Sequence, residues 1–382
     1  PKPERHMTIL VCIPCLLTGG TEIQTLNLVH ALARGGHRVV TACYFEHAPR
    51  MVERYRQAGS EVVLFEPEGQ RIGGWRGAAF LYRHLRQCVR QYRPEAAHVQ
   101  YMAPGAQPII LLKLLGVKHI LATAHTDARI YRSLRLPHFL CRHALDVFTC
   151  ITCRAEEQFF GSSRLYTEAT PLQRHSHFTI YNSLPPHVQT AERERPSHTA
   201  PVTIGVVSRL ERIKGMDLVV PAFARVLRQH PGARLLVVGE GSLRPLMERQ
   251  AGELGVTERV EWAGRQPQEH LQACYDRIDI FWMPSRSEGF GLSALEAMAR
   301  GCAVVAAEAG GLPELLQDGA SGVLFPGESA EELANASLSL LETPARRQRL
   351  SGAARRRAGE FSQERYSSLI LNLYEKVAPC LS

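Results

Sequence analysis

No apolar run in this 382-residue sequence reaches the ~20 residues that a membrane-spanning helix needs. The longest, Pro108 to Ala124, is broken by Lys113 and Lys118. A secretory leader is not expected either, and residues 1–6 stand ahead of Met7, which reads as the natural start. Acidic side chains run short in the first half. Residues 1–183 carry a net charge of +9, while residues 184–382 carry −1. Cysteine is not scarce, at ten residues, but zinc-ribbon spacing is. Cys12-x2-Cys15 and Cys150-x2-Cys153 lie too far apart to share a metal on that pattern, and both flank strand-like runs. Reduced, buried thiols in a cytosolic protein are the expectation. With 45% hydrophobic and 21% charged residues, the composition is that of a globular protein long enough for two cores.

Apolar runs bounded by glycine, proline and polar turns recur along the chain. Thr8–Ile13, Val39–Tyr44, Val62–Phe65, Ala96–Gln100, His119–Thr123, Val147–Thr152 and Phe178–Tyr181 read as strands. Helical periodicity fills the gaps, as at Glu22–Ala33, which stops at Gly35-Gly36, and over 74–92, which stops before Pro94. Residues 184–200 are polar and proline-rich and read as a linker. The rhythm restarts at Val202–Val207 and continues through Arg234–Val238, Arg259–Trp262, Ile278–Trp282, Ala303–Ala306 and Val323–Phe325. The last helix covers about Gln363 to Val377. Strands alternating with helices predict an α/β protein with two mostly parallel, doubly wound sheets. Ligands of such sheets bind beyond the carboxyl ends of the strands.

The basic excess has a pattern. Arg83, Arg86, Arg90 and Arg93 recur at helical spacing, and Arg129, Arg132 and Arg135 repeat the rhythm. Two readings stand: a solvated helix face, or attraction to an anionic acceptor or an anionic membrane surface. No nucleic-acid-binding motif accompanies the charge, so nucleic acid is not expected as a partner.

The chemistry concentrates between Met283 and Glu314. The apolar run Ile278–Met283 ends at Pro284, a loop with Glu288, Gly289, Phe290 and Gly291 follows, and Leu292, Leu295 and Met298 then recur at spacings of three. A strand, a glycine loop and a helix N-terminus together suit a phosphate, because the first helical amides are unpaired and sit at the positive end of the dipole. Glu288 in the loop and Glu296 one turn into the helix would engage hydroxyls beyond that phosphate, which describes a nucleotide sugar. Arg209 and Lys214 follow the strand Val202–Val207 at its ligand-binding end. Gly239-x-Gly241 follows a strand too, but Arg244 stands where a dinucleotide fingerprint has its third glycine, so a dehydrogenase is not expected. His125 also follows a strand, as a buried structural histidine or as a site residue.

The run Ser-Glu288-Gly-Phe-Gly-Leu-x3-Glu296-Ala-Met-Ala-x-Gly resembles the donor-site signature of the retaining GT-B glycosyltransferases of family 4. Ser208-Arg209-Leu-x3-Lys214-Gly215, Val237-Val238-Gly239-Glu240-Gly241 and Gly19-Gly20-Thr21-Glu22 extend the resemblance, which is strongest over 202–326. It implies two facing Rossmann-like domains with a cleft between them: an acceptor domain at 7–183, a donor domain at 201–360, and a C-terminal helix at 361–382 that packs back on the first. Arg209, Lys214 and the amides of Gly289, Phe290, Gly291 and Leu292 would bind the donor diphosphate. Glu296 would hold the ribose. Glu288 and His125 would meet the donor sugar, with Glu288 left open as nucleophile or electrostatic stabiliser. Gly19, Gly20, Gly239 and Arg265 join the donor set, and Thr21 and Glu22 the acceptor set.

The implied reaction moves a hexose or N-acetylhexosamine from a UDP-, GDP- or ADP-sugar to a hydroxyl of a glycan, glycolipid or small molecule, in cell-envelope glycan synthesis. GT-A transferases hold a metal with Asp-x-Asp, a motif this sequence lacks; Asp276 and Asp279 are spaced Asp-x-x-Asp. No metal and no cofactor are therefore expected. A GT-B epimerase or a non-catalytic nucleotide-sugar-binding protein are the alternatives, and the intact Glu288, Glu296, Arg209 and Lys214 argue against the second. The implied place is the cytoplasm, with peripheral contact to the inner face of a membrane.

Overall fold

The computed structural model describes residues 6–65, 74–101, 106–191 and 201–380. Residues 1–5 of the segment ahead of Met7 and residues 192–200 of the expected linker lie outside the described residues. The chain divides into two compact units, Pro1–Ser183 with Gln363–Ser382, and Leu184–Ser362.

The first unit holds strands β1 (Thr8–Ile13), β2 (Arg38–Cys43), β3 (Ser60–Leu64), β4 (Ala96–Tyr101), β5 (His119–Ala124), β6 (Val147–Cys150) and β7 (Ser176–Thr179). They form one parallel sheet in the order β3-β2-β1-β4-β5-β6-β7. Both faces are covered, which is why the strands read as unbroken apolar runs. Leu10 and Cys12 of β1 join one apolar cluster; Ile9, Val11 and Ile13 join the other. The helix Gln363–Cys380 completes the second cluster. Its Ile370, Leu373, Tyr374 and Val377 are buried, and Tyr374 Oη lies 2.9 Å from His98 Nδ1 on β4.

The second unit holds β8 (Thr203–Val207), β9 (Arg234–Val238), β10 (Val260–Gly264), β11 (Ile280–Met283), β12 (Ala303–Ala307) and β13 (Val323–Phe325). Their order is β10-β9-β8-β11-β12-β13, again all parallel. Both units are therefore Rossmann-like. Residues 184–191, which the sequence reads as linker, pack as part of this unit. Leu184 and Val188 are buried, Leu184 N–H donates to Phe361 O at 2.8 Å, and Ala191 N–H donates to Ala299 O at 2.8 Å. The prolines 185 and 186 disguise that apolar anchoring.

Candidate active site

Three loops of the second unit meet beside β11. The chain leaves β11 at Met283 and turns through 284–291 into the helix Leu292–Ala299. The loop after β8 presses on one side of this turn. Arg286 N–H donates to Ile213 O at 2.9 Å, and the Arg286 guanidinium grips Asp217 at 2.7 and 3.0 Å. Gly215 has φ of +69°, and a Cβ there would stand 1.9 Å from Pro284 O, so only glycine allows the contact. The loop after β12 closes the other side. Gly310 has φ of +54°, a Cβ on it would stand 1.6 Å from Glu288 O, and Gly311 N–H donates to the same oxygen at 3.3 Å.

Glu288 is thus held through its backbone, and its side chain meets a cation. Lys214 Nζ donates to Glu288 Oε2 at 2.6 Å, with the two side chains 20% and 13% exposed. Ser285 Oγ stands 3.5 Å from that same oxygen. Arg209 follows β8 and Arg265 follows β10, and both are exposed. Leu210 N–H donates to Glu240 O, and Gly239 N–H donates to Gly264 O, so the loops carrying Arg209, Gly239 and Arg265 are neighbours.

Among the described residues no side chain caps the helix Leu292–Ala299; Gly291 stands at its start in left-handed backbone. Its first-turn amides and dipole favour an anion. The Phe290 side chain is buried edge-on against Phe361, which leaves only its backbone to a ligand. Glu296, one turn further on, is buried. Tyr275 Oη donates to its Oε2, and His187 Nε2 stands 3.2 Å from its Oε1. Neither Tyr275 nor His187 stood out in the sequence, because nothing in their spacing ties them to Glu296.

In the first unit, Gly19 is the cap residue of the helix Gly20–Arg34 in extended backbone. Thr21 O accepts from Thr25 Oγ1 at 2.8 Å. Glu22 is buried in the first turn, where its Oε1 accepts from Cys15 Sγ at 3.2 Å and its carbonyl accepts from Tyr55 Oη at 2.6 Å. This carboxylate is tied into the fold. His125 follows β5 directly and is buried, with Nε2 2.7 Å from Gln100 Oε1 on β4. Burial pushes its pKa down to about 4. His125 is therefore neutral near pH 7, a hydrogen-bonding group rather than a standing cation. Because an amide oxygen only accepts, Nε2 carries the proton.

Asp276 and Asp279 serve the fold. Asp276 accepts from Arg300 Nε at 2.7 Å, and Asp279 Oδ2 accepts from Thr203 N–H at 2.8 Å. Cys12, Cys15 and Cys150 are buried free thiols. Burial pushes Cys12 and Cys15 up to about 12, so neither is a thiolate at neutral pH. Among the described residues, no helix is long and apolar enough to cross a membrane.

A family model described as "Glycosyl transferases group 1" matches residues 188–357, and one described as "Glycosyl transferase 4-like domain" matches residues 19–163. A D-inositol 3-phosphate glycosyltransferase of Segniliparus rotundus is 32% identical over 320 residues, 78% of this chain and 70% of that protein. A Corynebacterium aurimucosum protein of the same description is 37% identical over 185 residues, a match that spans 47% of this chain and 44% of the relative. Among solved structures, Anabaena HepE in complex with UDP and glucose superposes with a TM-score of 0.77 at 19% identity, over 97% of this chain and all of that one. Sucrose-phosphate synthase of Thermosynechococcus elongatus gives 0.74 at 22% identity, over 97% of this chain and 99% of that one. At these identities the likeness is one of fold, the GT-B fold of such glycosyltransferases.

Proposed function

The chain belongs to the group 1 glycosyltransferases, and from that membership we propose that it moves a hexose or N-acetylhexosamine from a nucleoside diphosphate sugar to a hydroxyl acceptor, with retention and without a metal ion. The observation that carries the reading is the Lys214–Glu288 pair, 2.6 Å long, in the loops beside an uncapped helix N-terminus. A donor diphosphate offers Lys214 a second anion, and Arg209 and the amides of Gly289 to Leu292 join it. In the reaction the bond from the anomeric carbon to the β-phosphate oxygen breaks, and its electron pair leaves with the phosphate. The acceptor oxygen forms the new bond and its proton passes to the departing phosphate. Fixed cations and amides stabilise the negative charge growing there, and Glu288 stabilises positive charge on the sugar. A thermal-shift screen with UDP, GDP, ADP and their sugars tests this. At 100 Kd, one nucleotide should stabilise the protein by about 2.7 kcal/mol, a rise of roughly 5–10 °C in the melting midpoint for a unit of this size. No shift with any of them refutes the reading.

The acceptor is anionic on the same proposal, and a lipid-linked one in envelope glycan or glycolipid synthesis is favoured by one observation. On the helix Gly74–Tyr92, Arg83, Arg86 and Arg90 are exposed together with Tyr82, and Trp75 is 77% exposed. The neighbouring helices Ala106–Leu114 and Arg135–His143 add exposed Leu114 and Phe139. Aromatic and aliphatic side chains interleaved with arginine suit an anionic bilayer better than bulk water. The curated relatives, described as D-inositol 3-phosphate glycosyltransferases, support an anionic acceptor. Flotation with phosphatidylglycerol vesicles at low salt should carry the protein upward, and Trp75→Ala with Arg83→Ala and Arg86→Ala should abolish this. Equal indifference to neutral and anionic vesicles reduces the arginine stripe to a solvated helix face.

A further inference from the structure

The segment 184–191 lies along the whole helix Leu292–Ala299. At one end Leu184 is bonded to Phe361, whose ring packs on Phe290 of the glycine loop; at the other, Ala191 is bonded to Ala299, and Arg300 Nη1 donates to Gln189 O at 2.7 Å. His187, midway, comes level with Glu296. Its Nε2 is 3.2 Å from Glu296 Oε1, and the two side chains are 9% and 8% exposed. Among the described residues neither ring nitrogen of His187 makes a hydrogen bond, and both are shut away from solvent. Such orphaned groups cost free energy and ask for an explanation. Tyr275 has already taken Glu296 Oε2. What is left is one carboxylate oxygen facing a buried imidazole with both nitrogens unspent.

We propose that His187 is a nucleotide-binding residue, closing with Glu296 on the vicinal hydroxyls of the donor ribose. A cis-diol presents two O–H donors and two acceptor oxygens. Glu296 Oε1 accepts from one hydroxyl, and the imidazole bonds the other. At a rise of ~1.5 Å per residue, Glu296 sits about 6 Å along the helix from Leu292, where the first amides meet the diphosphate. A ribose follows its phosphates in that direction. The inference rests on the proposed donor site and adds the residue that reads the sugar of the nucleotide.

The test is isothermal titration of UDP, 2′-deoxy-UDP and 3′-deoxy-UDP into the full-length protein, alongside the His187→Ala and His187→Gln variants, with folding checked by circular dichroism. The wild type should bind UDP more tightly than at least one deoxy analogue by about tenfold or more, the worth of one hydrogen bond to a buried group. His187→Ala should lose that ratio for one hydroxyl while its affinity for the matching deoxy analogue stays within about threefold of wild type. His187→Gln, which keeps a polar group there, should restore part of the discrimination. If the wild type discriminates and His187→Ala discriminates equally, or if the wild type ignores both hydroxyls, the inference falls and the donor site stands. If the wild type binds none of UDP, GDP and ADP, both fall together.

Discussion

Replacing Lys214 with methionine keeps an unbranched side chain, one atom shorter, and removes its charge. In the folded protein the ammonium bonds Glu288 Oε2 at 2.6 Å. Breaking a fully buried pair by removing one partner costs about 3–5 kcal/mol, whereas an exposed pair is worth about 0–1. With side chains 20% and 13% exposed, this pair falls between, at roughly 2 kcal/mol. That corresponds to a melting midpoint lowered by about 4–8 °C for a unit of this size. The double variant Lys214→Met with Glu288→Gln should recover much of the loss, because no charge is then left unpaired. Catalysis should behave otherwise. Losing one fixed donor to the leaving diphosphate costs about 10²–10³ in kcat, and the double variant recovers none of it. Calorimetry on the single and double variants, with nucleoside diphosphate release from the donor sugar as the rate assay, reads both quantities. A Lys214→Met enzyme within about threefold of wild-type kcat would refute the role given to this cation.

Other substitutions separate the groups of the site. Glu296→Ala removes contacts made in ground and transition states alike, so KM should rise more than kcat falls, whereas Glu288→Gln should lower kcat; steady-state kinetics over donor concentration distinguishes them. Gly310→Ala places a methyl 1.6 Å from Glu288 O at a φ of +54°, so the loop bearing Glu288 must move. Its kcat should drop by about tenfold or more, since small misplacements are costly in catalysis, and a crystal structure of the variant should show Glu288 displaced. Burial holds His98 near 3 and His125 near 4 in the folded protein, against about 6.5 unfolded. Both folded values are depressed, so the unfolded chain binds the extra protons. Stability is then complete above pH ~6.5 and falls as pH drops toward 4, by roughly 3 kcal/mol for His125 alone. Urea denaturation across that window should show the slope, and His125→Gln should lessen it, leaving the share of His98.

Much of the fold was legible because parallel sheets covered on both faces demand unbroken apolar strands. Ala303–Ala307 and Thr8–Ile13 announce themselves that way, and glycine or proline marks their ends. The strand–glycine-loop–helix unit was legible too, since the strand Ile280–Met283, the loop and the helix from Leu292 are contiguous. Pairings across long sequence gaps were not. Lys214 and Glu288 are 74 residues apart, and the packing of Gly215 on Pro284 with the bonds of Arg286 to Ile213 and Asp217 brings them together. His187 was hidden in a polar, proline-rich stretch whose anchoring depends on Leu184 and Val188 finding apolar neighbours. The contact of the buried Glu22 carboxylate with Cys15, seven residues away, was not legible either.

On the proposed mechanism, fixed cations and helix amides, not a metal ion, carry the charge of the departing diphosphate. Turnover of the donor sugar by enzyme exhaustively treated with EDTA tests it most directly. The account predicts a rate unchanged by the chelator and unchanged by added Mg²⁺ or Mn²⁺. Loss of turnover in EDTA with recovery on adding either ion would contradict it.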